Sequence, residues 1–272
     1  MDAALANRLA ALVRGADPDR YFSALFAPAG LRPLLLALYA FNAEVARVAE
    51  SVREPMLGAI RLEWWRETAE GAARGAPRNH DVARGLAALF AERNMALAEL
   101  EALVAARAFD SSADRFADFA ALENYLDETG GRLMRLAAEL LGAPPTQSAA
   151  ITRDGARAYG LAGLLRALPF HNNRHKLYLP MDLLAALELT PEQFFHLEGQ
   201  DARLDAARRQ GVLKAREYFQ AARTAPRAGP ALAAILPAAL VPVYLQRLMS
   251  GREVPIHRRQ LALLSAAMKK RL

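Results

Sequence analysis

Residues 31–52 read LRPLLLALYAFNAEVARVAESV, and the spacing of their apolar side chains decides the fold class. These side chains recur at intervals of four, three, four, three and four residues: Leu34, Leu38, Phe41, Val45, Val48 and Val52. Residues three and four apart share one face of an α-helix, so the stretch predicts a helix with one buried stripe. No stretch of the chain alternates with the period of two that marks a half-buried strand. The sequence therefore predicts an all-α protein.

The same periodicity, interrupted by Gly and Pro, predicts further helices along the chain. Their expected ranges are Pro55 to the Gly71–Gly75 region, Asp81–Arg107, Ala120–Leu141, Thr146–Leu168, Asp201–Arg223, Pro230–Met249 and His257–Leu272. No long polar linker separates them, so we expect one domain of about ten helices over residues 1–272. The glycines of Gly160-Leu-Ala-Gly163 predict a close approach of another helix.

Three local signals refine this picture. Ser111-Ser112 predicts a cap for a helix that begins near Asp114. Pro169 and the pair Asn172-Asn173 predict a loop after the Thr146–Leu168 helix. Trp64 and Trp65, adjacent on a helix, predict ordinary core packing, with one ring inward and the other at a seam between helices.

Composition limits the classes of function. The 272 residues contain no Cys, which excludes disulfides and thiolate metal sites, and they carry a net charge of +6. Because only four of the 35 basic residues are Lys, we attribute much of this charge to Arg-rich codon usage and expect no nucleic-acid partner. The longest apolar run, Ala231–Leu245, is 15 residues, short of the roughly 20 that a membrane span needs. We expect a protein of the bacterial cytoplasm.

The last predicted helix is basic. It carries five cationic side chains: Arg258, Arg259, Lys269, Lys270 and Arg271. Each basic group close to an anionic lipid surface contributes about 1 kcal/mol of attraction. The sequence therefore predicts weak, salt-sensitive, peripheral binding to the anionic inner membrane.

Generic catalytic motifs are scarce: the chain has no Gly-rich phosphate loop, no GxSxG and no HExxH. Two segments are more informative. Leu38–Glu50 is followed by Arg61-Leu-Glu-Trp-Trp-Arg66, and Gly160–Pro180 ends in Arg174-His-Lys-Leu-Tyr-Leu-Pro180. Together they resemble the squalene/phytoene synthase family of head-to-head prenyl transferases, from about Tyr21 to Met181. This resemblance implies a single-domain isoprenoid-synthase-type helical bundle around a central cavity.

Members of that family hold Mg²⁺ between two aspartate-rich helix motifs, and the metal withdraws the diphosphate of the substrate. In this chain the resemblance places the first motif on Ala46, Arg47 and Glu50, and the second on Ala167 and His171. Only Glu50 is a carboxylate, and residues 155–181 contain no Asp or Glu. We therefore expect no catalytic residue, no metal ligand set and no cofactor, with Mg²⁺ required only if the protein were an active synthase.

What remains around these motifs is basic and aromatic. The candidate residues for an anion or lipid pocket are Arg61, Arg66, Arg166, Arg174, Lys176 and Tyr178. His171 and His175 have the spacing of a metal pair, but no carboxylate lies near them in sequence to complete a set. We expect these histidines to be solvated or hydrogen-bonded.

The departures from the motifs are themselves informative. The stretches Ala40–Val52, Leu165–His171 and Arg174–Asp182 resemble the non-catalytic branch of this family that contains the mitochondrial complex I assembly factor. This resemblance implies a synthase-fold pseudoenzyme that assists assembly of respiratory complex I, with complex I subunits or other assembly factors as partners. Two alternatives stay open. One is a prenyl transferase that condenses two prenyl diphosphates, and the other is a non-catalytic protein that binds a polyprenyl lipid.

Overall fold

The computed structural model describes residues 1–52, 54–197, 201–226, 229–248 and 254–272, and the described part of the chain is helical without a β-strand. The helices of the first half are α1 (Ala3–Ala16), α2 (Pro18–Ala24), α3 (Arg32–Ala46), α4 (Val48–Ser51), α5 (Pro55–Ala73), α6 (Asp81–Glu92), α7 (Leu97–Ala106), α8 (Ala108–Ser111) and α9 (Phe119–Leu126). A π-helical turn at Asp127–Gly131 follows. The second half contains α10 (Arg132–Leu140), α11 (Pro145–Arg166), α12 (Leu168–Asn173), α13 (Met181–Ala186), α14 (Pro191–Phe195), α15 (Ala202–Thr224), α16 (Leu232–Ile235), α17 (Val241–Leu248) and α18 (Ile256–Lys269). The all-α prediction is confirmed.

The first half of the chain packs around α3. The predicted helix is interrupted at Arg47, and its stripe is buried from Leu34 to Val48 but only half-buried at Val52. Leu35, Leu36 and Tyr39 of α3 are buried as well, because α1, α6 and α10 cover the helix from several sides. A helix that is apolar on most of its circumference is stable only when it is enclosed in this way. The C-terminal end of α3, which carries the first motif, is therefore held rigidly.

The second half packs around α11 and α15, the most extensively packed pair of helices in the described chain. A Cβ atom at Gly211 of α15 would lie only 2.7 Å from Cδ2 of Leu165 on α11, so the absent side chain permits this close approach. The prediction for the Gly160-Leu-Ala-Gly163 segment is half confirmed. A Cβ at Gly160 would lie 2.7 Å from Cδ2 of Leu126, whereas a Cβ at Gly163 would meet nothing within 4 Å.

Several predicted boundaries are wrong for identifiable reasons. The Asp81–Arg107 range is two helices, α6 and α7, because both pack on α5 and the chain turns between them at an extended Arg93. No helix begins at Asp114. Instead, the Ser112 hydroxyl accepts a hydrogen bond from the Asp114 N–H in a turn, and Asp118 caps α9. Helix α9 then continues through the π turn into α10.

Pro169 ends α11, but the residues around it form another helix, α12, and not the predicted loop. A proline lacks the N–H that would bond the carbonyl of Leu165, so α11 stops at Arg166, and Ala167 joins it to α12. Proline suits the first turn of a helix, and the chain resumes helical geometry through Asn173. The second motif therefore straddles a helix junction.

The apolar stretch predicted as one helix, Pro230–Met249, is divided into 3-10 segments at Gly229–Ala231 and Leu236–Leu240 and the helices α16 and α17. Met249 lies outside the described residues. Among the described residues, one segment is long and apolar enough to cross a membrane: Gly229–Leu248, with a mean hydropathy of 1.6. However, 61% of it is buried inside the fold, as a core segment would be.

Candidate functional site

The structure brings six of the predicted site residues to one cavity of about 270 Å³, which we call the motif cavity. These residues are Ala46, Glu50, His171, Arg174, Lys176 and Tyr178. The end of α3 and helix α4 form one wall, and α12 with the segment after it forms the other. The two motifs therefore face each other, although they are more than 100 residues apart in sequence.

Four other predicted residues face two different cavities. Arg47, at the junction of α3 and α4, lines a cavity of about 380 Å³ with Arg61, Trp64 and Trp65, which we call the tryptophan cavity. Its guanidinium pairs with Glu44 at 3.2 Å, and Arg61 donates to the Ser51 hydroxyl at 2.6 Å. The junction turns Arg47 away from Ala46 and Glu50, so the three positions of the first motif do not converge.

The second motif is divided in the same way. Ala167 and Arg166 line a third cavity of about 710 Å³, which we call the arginine cavity, whereas His171 lines the motif cavity. The backbone at Ala167 departs from α-helical dihedral angles, with a ψ of 2°. Positions 167 and 171 line different cavities, although the N–H of His171 donates to the carbonyl of Ala167 at 2.9 Å. Arg66 faces none of these cavities. Its guanidinium forms ion pairs with Glu63, Glu70 and Glu101 on the surface.

The cations of the motif cavity are hydrogen-bonded to backbone carbonyls. Nη2 of Arg174 donates to the carbonyls of Ala49 at 2.7 Å and Val52 at 3.2 Å, which satisfies the end of α4. Nζ of Lys176 donates to the carbonyls of Phe109 at 2.5 Å and Ser112 at 2.8 Å. Burial lowers the pKa of Lys176 to about 8. Both cations therefore serve to join segments that are distant in sequence.

His171 is half-buried rather than solvated. Its ring lies 4.5 Å from the ring of Tyr178, centroid to centroid, and tilts against it. Burial is the main cause that lowers the pKa of His171 to about 4; Asp110 opposes this shift, and the charges of Arg174 and Lys176 add to it. The imidazole is therefore neutral at physiological pH. His175 does not join it in a metal pair, because its ring packs on Phe195.

A buried polar network at the base of the motif cavity is not predicted by the sequence motifs. Oδ1 of Asp110 accepts hydrogen bonds from the hydroxyls of Tyr125 at 2.6 Å and Tyr178 at 2.8 Å. Arg107 pairs with the other carboxylate oxygen at 3.3 Å. Burial and the neighbouring Asp110 raise the pKa of both tyrosines well above its usual value, so both remain protonated donors. Of this network, only the pairing of Arg107 with Asp110 is indicated by the sequence, because residues three apart are neighbours on a helix.

The arginine cavity combines cationic and apolar walls. Arg166 lies 3.8 Å above the ring of Tyr244, and Arg208 lines the same cavity. Arg259, also on this wall, is already neutralised by Asp19 at 2.9 Å. Leu165, Leu248 and Val254 supply the apolar part of the wall. Cationic and apolar groups around one space suit an amphipathic anion.

The residues of both motifs do not fit Mg²⁺. That ion requires oxygen ligands in near-octahedral geometry, and Ala46, Ala167 and His171 offer none. Within the described ranges, no group of three or more His, Cys, Asp or Glu side chains is placed to hold a metal ion. The nearby carboxylate of Asp110 is committed to Arg107 and two tyrosines.

The prediction that both tryptophans pack in the core is confirmed only for Trp65. Trp65 is buried and meets Phe41 edge to face, as core packing requires. Trp64 is 38% exposed and lies under Arg78, 4.8 Å from the ring centroid, at the rim of the tryptophan cavity. An adjacent pair on a helix points in two directions, and only Trp65 points towards the core.

The helical bundle and its opposed motifs define the all-α isoprenoid synthase fold. A crystal structure of a dehydrosqualene synthase matches 98% of this chain and 96% of its own, with a TM-score of 0.79 and 15% identity. A squalene synthase from Alicyclobacillus acidocaldarius matches with a TM-score of 0.72 and 16% identity over 98% of this chain and 94% of its own. The squalene/phytoene synthase family model matches residues 13–265. The chain belongs to the squalene/phytoene synthase family.

Sequence relatives fall in two groups. The human NADH dehydrogenase (ubiquinone) complex I assembly factor 6 is 31% identical over 183 residues, which is 67% of this chain and 55% of that protein. The homologue from Drosophila melanogaster is 26% identical over 72% of this chain and 60% of its own. The presqualene diphosphate synthase of Rhodopseudomonas palustris is 28% identical over 60% of this chain and 58% of its own. This chain spans a little over half the length of these relatives.

Proposed function

We propose that this protein is a non-catalytic member of the squalene/phytoene synthase family that assists assembly of respiratory complex I, the NADH:quinone oxidoreductase. Its partners are complex I subunits or other assembly factors, and it acts in the bacterial cytoplasm at the inner membrane. The similarity to complex I assembly factor 6 supports the assembly role.

One observation carries the non-catalytic part of the proposal: of the motif positions that line the motif cavity only Glu50 is a carboxylate, and the cations Arg174 and Lys176 are hydrogen-bonded to backbone carbonyls. Ionising a prenyl diphosphate requires the developing negative charge to be neutralised in the transition state, and metal ions supply that charge in this chemistry. Ala46 and His171 provide no ligand oxygen. Arg174 and Lys176 are held by carbonyls of the wall, so they stabilise the fold whether or not an anion is present.

The proposal is tested by deleting the gene in its source organism and measuring assembled complex I. We expect the mature complex and rotenone-sensitive NADH oxidation to fall, and the wild-type gene to restore both. A second gene tests whether catalysis is needed: it carries Glu50→Gln, which removes the last carboxylate of the motifs. We expect this gene to restore complex I as well as the wild-type gene does. Normal complex I in the deletion strain, together with loss of a prenyl condensation product, would instead establish the prenyl transferase.

The arginine cavity favours a second candidate function, binding of a polyprenyl lipid with an anionic head group. Its volume of about 710 Å³ and its mixed cationic and apolar wall are those of a site for such an amphiphile. Native mass spectrometry of protein purified from its host tests this idea. We expect a lipid adduct that is lost in Arg166→Gln/Arg208→Gln and retained in the surface control Arg115→Gln. An adduct of equal abundance in all three proteins would exclude the arginine cavity as its site.

A further inference from the structure

Helix α18 presents an apolar face to solvent. Leu263 and Ala266 are buried on its inward side. On the opposite side Leu261, Leu264 and Met268, which we call the α18 stripe, are 63%, 45% and 76% exposed. Their spacing of three and four residues places them on one face. Surface helices of globular proteins usually show the reverse pattern, so an exposed apolar face of this kind marks an interaction site.

The stripe lies in a strongly basic setting. Residues 254–272 contain no Asp or Glu. The exposed cations are Arg258, Lys269, Lys270 and Arg271. Across the described ranges, none of these four forms an ion pair with a carboxylate. Arg258 and Lys269 lie three helical turns apart, along one flank of the stripe.

We propose that α18 docks this protein on an anionic lipid bilayer, with the stripe inserted between acyl chains and the four cations at the head-group phosphates. An amphipathic helix with basic flanks binds such a surface through both contributions. The high exposure of Leu261 and Met268 shows that the stripe protrudes rather than lines a groove, and a fluid bilayer accepts a protruding ridge. Long basic side chains can reach head groups while their stems remain in apolar surroundings.

Insertion is tested with a fluorescent reporter. Because the chain has no Cys, Met268→Cys creates a unique thiol for an environment-sensitive dye, and Leu213→Cys on α15, where Leu213 is 56% exposed, is the matched control. We expect vesicles of phosphatidylglycerol and phosphatidylcholine to shift the emission of the dye at position 268 to the blue and to leave position 213 unchanged. Equal shifts at both positions, or no shift at 268, would overturn the proposal.

Flotation with the same vesicles separates the two contributions. The triple variant Leu261→Ser/Leu264→Ser/Met268→Ser should bind at least about tenfold more weakly. Its control is Met56→Ser/Leu57→Ser/Ile60→Ser, which removes an equal number of exposed apolar side chains from α5. Neutralising the four cations to Gln should weaken binding by at least about a hundredfold, since each contributes about fivefold. Circular dichroism confirms that each variant is folded.

Three outcomes of the flotation experiment would refute the proposal. They are equal binding to pure phosphatidylcholine, loss of binding only in the α5 control, and full binding of the stripe variant. If the α18 variants instead lose association with complex I intermediates while still binding vesicles, the surface serves a protein partner. The vesicle measurement uses purified components, so it can fail or succeed independently of the complex I assay.

Discussion

Asp19 and Arg259 form an ion pair, with Oδ1 and Nη1 2.9 Å apart, although they are separated by 240 residues. Their side chains are 7% and 19% exposed. Oδ2 of the same carboxylate accepts hydrogen bonds from the hydroxyls of Tyr159, at 3.1 Å, and Tyr244. One carboxylate of α2 therefore joins α11, α17 and α18, and it orients the helix that we propose as the membrane surface.

We expect Asp19→Asn to destabilise the fold by about 2–3 kcal/mol, because it leaves the guanidinium of Arg259 enclosed without its counter-ion. Urea denaturation followed by circular dichroism measures the loss. Asp81→Asn, which breaks the exposed pair with Arg8, is the matched control and should leave the midpoint nearly unchanged. The double variant Asp19→Asn/Arg259→Gln should lose less than the sum of its single variants. Strict additivity would show that the pair is not coupled.

Two of the three glycines of α11, Gly160 and Gly163, should respond in opposite directions to substitution by alanine. Gly163→Ala meets open space, so it should raise the free energy of unfolding by about 0.5–1 kcal/mol through helix propensity. Gly160→Ala places a methyl group against the buried Leu126, and we expect a net loss of about 1 kcal/mol because overpacking outweighs the same gain. Thermal denaturation of both proteins measures the difference. Stabilisation of both variants would show that Leu126 moves aside freely.

His171 should make the protein less stable in acid. Its folded pKa of about 4 lies below the ordinary value, so the unfolded chain takes up a proton first as the pH falls. The contribution is complete above about pH 6.5 and is lost between that pH and about 4. From pH 7 to pH 5, we expect wild type to lose about 1 kcal/mol more than His171→Phe, after allowance for partial exposure. His257→Phe, at an exposed histidine of α18, should behave like wild type, and an identical loss in all three proteins would exclude His171.

Purified protein should form no condensed product from farnesyl or geranylgeranyl diphosphate with Mg²⁺, with or without NADPH. A cation such as Arg166 attracts a diphosphate, but a group that binds substrate and transition state equally gives no acceleration. Incubation with radiolabelled diphosphate, beside an active synthase, measures turnover. Multiple turnovers by the unmodified protein would refute the non-catalytic proposal and establish the prenyl transferase.

The helices could be predicted from sequence because their signal is local. The stripe from Leu34 to Val48 follows the helical repeat, and the structure buries it as expected. Helices α6 and α7 both pack on α5, and the turn between them contains neither Gly nor Pro. Such a turn is set by long-range packing, which a local pattern does not contain.

The absence of a carboxylate at four of the five motif positions follows from the amino-acid identities alone, because a side chain's chemistry does not depend on where it lies. Which cavity each position faces depends instead on the folding of the whole chain. The regular helix is interrupted at Arg47 and Ala167, and the motif residues around these two junctions line three different cavities. The Asp110 network likewise exists only in the folded chain, since burial made one carboxylate the shared acceptor of tyrosines 53 residues apart.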